Sequence, residues 1–222
     1  MSTSSSIGIV LYGATGFTGR LVAEYLNQQY GVNGEVSWGI AGRSLAKLEA
    51  LRYELGIDAA LPLIVADAAD KVSLQAMASQ AKVVITTVGP YQLYGGDLVA
   101  ACAAAGTDYV DLCGEPTWMH EMIAAHSDAA KVSGARIVFS CGFDSVPFDL
   151  GVQYLQEAAQ EQYAAPMTRV RGRVRSMVGT WSGGTLASAR ATMAAAGKAP
   201  ALLDILMNPF SLAEGFSGPT QP

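Results

Sequence analysis

The chain has 222 residues, 50% of them hydrophobic and 15% charged, with a formal net charge of −5. That is ample material for a core, as one large domain or two small ones. The acidic pI of about 5.0 gives no reason to expect a nucleic-acid partner, and no apolar run reaches the ~18 residues of a membrane span.

The first element is a short apolar, β-branched run, Ile7 to Tyr12, expected as a strand at 7–12. It stops at Gly13-Ala14-Thr15-Gly16-Phe17-Thr18-Gly19, and an amphipathic stretch follows at once with Phe17, Leu21, Val22 and Tyr25. Strand, glycine turn and helix in that order are the context in which a dinucleotide fingerprint carries weight. Gly13 allows the tight turn, Gly16 lets a pyrophosphate approach the backbone, and Gly19 lets the helix pack on the sheet. The first-turn N–H groups and the positive helix end then face the phosphates.

Further strands are expected at 36–41, 61–66, 82–87, 107–112 and 135–140. Helices are expected at 17–29, 44–55, 70–80, 95–105, 117–132 and 147–160. This alternation predicts an α/β fold, a doubly wound parallel sheet over residues 1–163. The mean hydropathy of +0.26 agrees with strands buried on both faces.

The pattern changes near Ala165-Pro166. Met167 to Met177 alternates, with Arg169, Arg171, Arg173 and Arg175 on one face, which predicts a half-exposed antiparallel strand. An Ala-rich helix is expected from about 185 to 197. Residues 164–222 therefore read as the start of a second α+β domain with a poorly ordered tail. A lone strand and helix bury little surface, so either a truncated product or completion by a homodimer is expected.

The strand ends gather the candidate site residues, as a cofactor cleft in such a sheet requires. The second strand ends at Arg43-Ser44, with no carboxylate for a ribose 2′-OH. A guanidinium fork suits a 2′-phosphate, and Ser44 can both donate to it and cap the next helix, so NADP(H) is expected over NAD(H). The alternative for Arg43 is a solvated residue at a helix start. Asp67 follows the third strand and either meets the adenine edge or caps the helix near Asp70. Val88, Gly89 and Pro90 follow the fourth strand, where the nicotinamide half belongs.

The motifs Tyr-Gly-Ala-Thr-Gly-Phe-Thr-Gly (12–19), Ala-Gly-Arg-Ser (41–44) and Val-Gly-Pro-Tyr (88–91) resemble those of the saccharopine dehydrogenase-like oxidoreductases. Gly-Thr-Asp-Tyr-Val-Asp-Leu-Cys-Gly-Glu (106–115) and Gly-Phe-Asp-Ser-Val-Pro-Phe-Asp-Leu-Gly (142–151) extend the resemblance. It is strongest to the branch holding the mycobacterial trans-acting enoyl reductases and the animal saccharopine dehydrogenase-like protein. The resemblance implies an NADP-binding Rossmann domain followed by an α+β domain, and a reductase whose substrate is an enoyl or acyl-type, lipid-related small molecule. It also leaves room for a non-catalytic NADP-binding sensor or scaffold.

For the chemistry, none of the tyrosines has Lys four residues later, which sets aside the short-chain dehydrogenase pair. Tyr91 is the first candidate proton donor; its alternative is packing under the loop. Glu115 and Asp144, beyond the fifth and sixth strands, are candidate acids or helix caps. Cys102, Cys113 and Cys141 lack metal-type spacing and read as reduced thiols of a cytoplasmic protein. His120 and His126 do not share a helix face, and no metal site is expected. The four arginines at 169–175 either receive an anionic partner or form the wet face of a sheet. The apolar stretch Ala191 to Phe210 is broken by Lys198 and Asp204, leaving peripheral lipid contact open but no transmembrane segment.

Overall fold

The computed structural model describes residues 7–199, 202–213 and 215–218. Six parallel strands form one sheet in the order β3-β2-β1-β4-β5-β6: β1 (Ile7–Tyr12), β2 (Trp38–Gly42), β3 (Leu63–Val65), β4 (Ala81–Thr86), β5 (Asp108–Val110) and β6 (Ile137–Val138). Between them run α1 (Phe17–Tyr30), α2 (Leu45–Glu54), α3 (Lys71–Ala78), the single turn α4 (Tyr91–Tyr94), α5 (Gly96–Ala105) and α6 (Pro116–Ser133). α7 (Val146–Tyr163), α8 (Gly183–Lys198) and α9 (Leu202–Met207) follow. Every strand and helix expected in the first 160 residues is present.

Chain order reverses between β1 and β4, the switch point of a doubly wound sheet. β1 is central, with Leu11 opposite Ile40 on one side and Ile85 on the other. Successive side chains leave opposite faces of a strand, and β1 divides accordingly. Val10 and Tyr12 join one core with Val84, Leu98 and Tyr109. Leu11 joins the other with Ile40, Leu48 and Leu26. Each such fully buried aliphatic side chain contributes ~1.5–3 kcal/mol, so both faces hold the strand that carries the glycine turn.

Two sequence expectations change. α1 buries Gly19, Ala23 and Leu26, whereas Phe17, Leu21 and Tyr25 are exposed and Val22 is half-buried. A small-residue face lets α1 lie close to the sheet, and the larger side chains go outward. Residues 167–177 form no strand, and all four arginines there are exposed. A strand needs a neighbour for its backbone groups, and among the described residues no strand pairs with this segment. Gln156 pins its start instead, bonding the Met167 N–H at 2.7 Å and carbonyl at 3.0 Å.

The later helices fold back over the earlier ones. The Gln92 side-chain amide meets the Thr192 hydroxyl at 3.2 Å, joining α4 to α8, and α9 packs on α6. Among the described residues no helix is long and apolar enough to cross a membrane.

Candidate functional site

The turn after β1 is built for close approach. Gly13 has φ +88°, and a Cβ there would lie 2.7 Å from Val88 Cγ2. On Gly19 a Cβ would lie 2.2 Å from the Gly13 carbonyl oxygen. Gly16 faces solvent, and a Cβ there would meet nothing nearer than that same oxygen at 3.3 Å. α1 has no side-chain N-cap and no acid in its first turn. The Phe17 and Thr18 N–H groups have no partner within the helix, and among the described residues no carbonyl outside it takes them. Donors without partners, a positive helix end and a solvent-exposed Gly16 fit a pyrophosphate. Ala14 is buried beneath the turn, while Thr15 is exposed on it.

At the end of β2, Arg43 is exposed. Ser44 is the N-cap of α2, accepting the Lys47 N–H at 3.4 Å. After β3, Asp67 accepts the Ala69 N–H at 3.0 Å, and the cap of α3 is Asp70, which accepts from Val72 and Ser73. Asp67 thus makes a local turn and is not the cap, which leaves its half-buried carboxylate beside Tyr12. Burial, with the Asp67 charge adding and Arg43 opposing, pushes the Tyr12 phenol up to about 12. Arg43 and Asp67, at the ends of β2 and β3, therefore both sit within electrostatic reach of Tyr12 at the end of β1.

The other half of the edge is tied by two buried carboxylates. Glu115, 1% exposed, accepts the Tyr91 and Gln92 N–H groups at 2.9 Å each. It caps α4, the turn directly after the cis Gly89–Pro90 bond, rather than the helix that follows it. Tyr91 is buried: its hydroxyl lies 3.3 Å from the Thr86 carbonyl oxygen and 3.4 Å from the Leu112 N–H. Burial, then the Asp111 charge, pushes its phenol far above the usual tyrosine range. Its place is under the loop, between the ends of β4 and β5. Asp144 is exposed and is not a cap, since α7 has Ser145 at its N-cap position with no side-chain bond.

Sequence reasoning gave Asp111 no role. It is 2% exposed and accepts the Tyr109 hydroxyl (2.8 Å), the Cys113 N–H (3.0 Å) and the Ser140 N–H (2.8 Å). Burial pushes its carboxyl up, against three donors that favour the charged form. Ser140 takes a left-handed φ of 59°, held there by Asp111 and by its own hydroxyl on the Cys113 carbonyl at 2.7 Å. The signal was a carboxylate inside the apolar run Val110-Asp111-Leu112-Cys113, since acids are rarely buried without partners. Burial raises the Cys113 and Cys141 thiols, which disfavours a nucleophilic thiolate. Among the described residues no group of three His, Cys, Asp or Glu is placed to hold a metal.

Arg43 beyond β2, the glycine turn beyond β1 and the Val88–Pro90 turn beyond β4 thus lie along one edge of the sheet, on both sides of the switch point. A family model described as the saccharopine dehydrogenase NADP-binding domain matches residues 9–138. A Mycobacterium tuberculosis protein provisionally named a trans-acting enoyl reductase is 48% identical over 212 residues, 95% of this chain and 50% of the relative. The trans-acting enoyl reductase of Mycobacterium ulcerans is 42% identical over 213 residues, with the same two shares. The chain spans about half the length of the curated relatives it matches. Among solved structures, apo saccharopine dehydrogenase (L-Glu forming) of Saccharomyces cerevisiae aligns at a TM-score of 0.49 and 20% identity, over 70% of this chain and 32% of that one.

Proposed function

The chain belongs to the saccharopine dehydrogenase NADP-binding domain family, and on that premise we propose that it is an NADP(H)-dependent reductase of an enoyl or other acyl-type, lipid-related substrate. The observation that carries the cofactor is the uncapped, glycine-lined start of α1 at the switch point. The names of the relatives support the acyl substrate.

The bound nicotinamide supplies the hydride. The chain supplies binding and orientation. The Phe17 and Thr18 N–H groups and the end of α1 take the pyrophosphate over Gly16, with Gly13, Ala14, Thr15 and Gly19 shaping the turn. Arg43, with Ser44, takes the 2′-phosphate, and Asp67 stands at the adenosine end. Val88, Gly89 and Pro90 line the nicotinamide end. In this reading Tyr91 and Glu115 hold that loop in place, and exposed Asp144 remains the candidate acid. The reading takes residues 1–163 as the cofactor domain and 164–222 as part of a second domain. It places the protein in the cytoplasm, with no nucleic-acid partner and with peripheral lipid contact. A homodimer belongs to it as well, since α7 leaves Leu150, Tyr154 and Leu155 exposed.

A second reading, a non-catalytic NADP-binding sensor or scaffold, is favoured by one observation: Tyr91 and Glu115 are both bonded into the scaffold. Titration with NADPH and NADH, followed by NADPH absorbance with an enoyl thioester present, tests both. Micromolar NADPH binding, weaker NADH binding and loss of absorbance support the reductase. Binding without turnover supports the sensor. No binding of either nucleotide by folded protein overturns both.

A further inference from the structure

We propose that Asp111 and Glu115 act as a fixed pair of buried negative charges that biases the bound cofactor toward its oxidised form. The inference rests on the cofactor reading above and concerns the nicotinamide end of that same site.

Both carboxylates are almost fully buried, and the groups bonded to their oxygens are all donors: backbone N–H of Tyr91 and Gln92 for Glu115, and the Tyr109 hydroxyl with two backbone N–H groups for Asp111. Donors favour the charged form of a carboxylate, and in Asp111 they act against burial, which pushes the carboxyl up. Among the described residues no Lys or Arg lies within ion-pair distance of either; the ion pairs are Arg20–Glu54, Lys71–Asp97, Lys131–Asp128 and Arg136–Asp108. Burying charge without a counter-ion is costly, and here two like charges stand four residues apart.

Their position gives the cost a use. Glu115 bonds the two amides directly after Gly89–Pro90, and Asp111 joins the exits of β5 and β6. The pair therefore sits behind the end of β4, on the nicotinamide side of the switch point. When the reduced ring gives up a hydride, two electrons leave with it and the ring gains a positive charge. Two nearby anions stabilise that cation and do nothing comparable for the neutral dihydro ring. The expected result is tighter binding of NADP+ relative to NADPH, which makes the bound reduced form a stronger hydride donor.

A purely structural role for the pair would change the affinity of both nucleotides together, whereas charge changes their ratio. The test titrates the wild-type chain, Glu115→Gln and Asp111→Asn with NADP+ and with NADPH by calorimetry. The ratio of the NADP+ to the NADPH dissociation constant is expected to rise roughly fivefold in each variant. An unchanged ratio, with or without a common loss of affinity, overturns the inference while leaving the cofactor reading intact. If circular dichroism shows both variants unfolded, Gln92→Lys keeps the carboxylates and adds a positive charge on the residue whose backbone N–H Glu115 accepts. The same rise in ratio is then expected, and its absence overturns the inference. No binding of either nucleotide by the wild-type chain overturns the cofactor reading and this inference with it.

Discussion

Gly19 lies against Gly13 so closely that a Cβ on it would fall 2.2 Å from the Gly13 carbonyl oxygen and 2.8 Å from the Ala14 Cα. Those are backbone atoms and cannot swing aside as a side-chain end can. Gly19→Ala is therefore expected to push α1 off the turn and cost ~1–3 kcal/mol. Gly16 is different, with only the Gly13 oxygen at 3.3 Å. Gly16→Ala is expected to cost at most ~1 kcal/mol yet weaken NADPH roughly tenfold or more, because its methyl occupies the pyrophosphate's space. Thermal unfolding of both variants and NADPH titration of Gly16→Ala check the split. Full stability in Gly19→Ala, or unaltered NADPH binding in Gly16→Ala, would refute it.

Glu115 and Tyr91 should separate cleanly by stability. Glu115→Ala strands two amides in a buried site and is expected to cost ~3 kcal/mol. Tyr91→Phe loses one weak bond at each end of the hydroxyl, worth ~1 kcal/mol, and leaves NADPH affinity within about twofold. Urea unfolding measures the first and nucleotide titration the second. Loss of turnover in Tyr91→Phe of a full-length relative, at unchanged stability, would return Tyr91 to the role of proton donor.

What the sequence shows well here is what depends on neighbours along the chain. Six apolar runs punctuated by glycine or polar groups gave six strands in parallel, and Ser44 could be read as a cap because the cap bond spans three residues. α4 could not be read: its first turn is held by Glu115, 24 residues away from Tyr91. Asp67 could be read as the cap of the helix near Asp70, and only turn geometry assigns the cap to Asp70 itself. The alternation at 167–177 identifies faces, but a period of two says nothing about whether a neighbouring strand exists. Asp111 lies within the motif at 106–115, yet its partners come from β5, the loop after it and the exit of β6, so its role needed the fold.

The pair Asp108–Arg136 gives a pH signature. The Arg136 side chain bonds the Asp108 carboxylate, and its backbone N–H adds a bond at 2.8 Å, tying β5 to the entry of β6. This holds the Asp108 carboxyl below the usual aspartate range. A carboxyl with a depressed folded-state pKa stabilises the fold above its unfolded pKa of about 3.9, and that stabilisation is lost as pH falls through the folded value. Urea unfolding from pH 7 downward should therefore show wild type more stable than Asp108→Asn near neutrality. The gap should stay level to about pH 4 and close below it. A gap that does not change with pH would mean that the loss is packing, not charge.

Arg43 carries the proposed preference for NADP(H). It is exposed at the end of β2, where the chain offers no carboxylate to a ribose hydroxyl, and Ser44 beside it has its oxygen turned to the helix cap. A guanidinium with no protein partner among the described ion pairs is free to meet a doubly charged 2′-phosphate in a two-pronged contact. Arg43→Ala is then expected to weaken NADPH at least tenfold while changing NADH by less than about threefold. The wild-type preference should also shrink as salt rises, because the contact is exposed. Parallel fluorescence titrations with the two nucleotides, at low and high salt, measure all of this. Equal weakening of both would show that Arg43 supports the turn rather than the phosphate, and the 2′-phosphate would then need another cation, with Lys47 on the first turn of α2 the next to test.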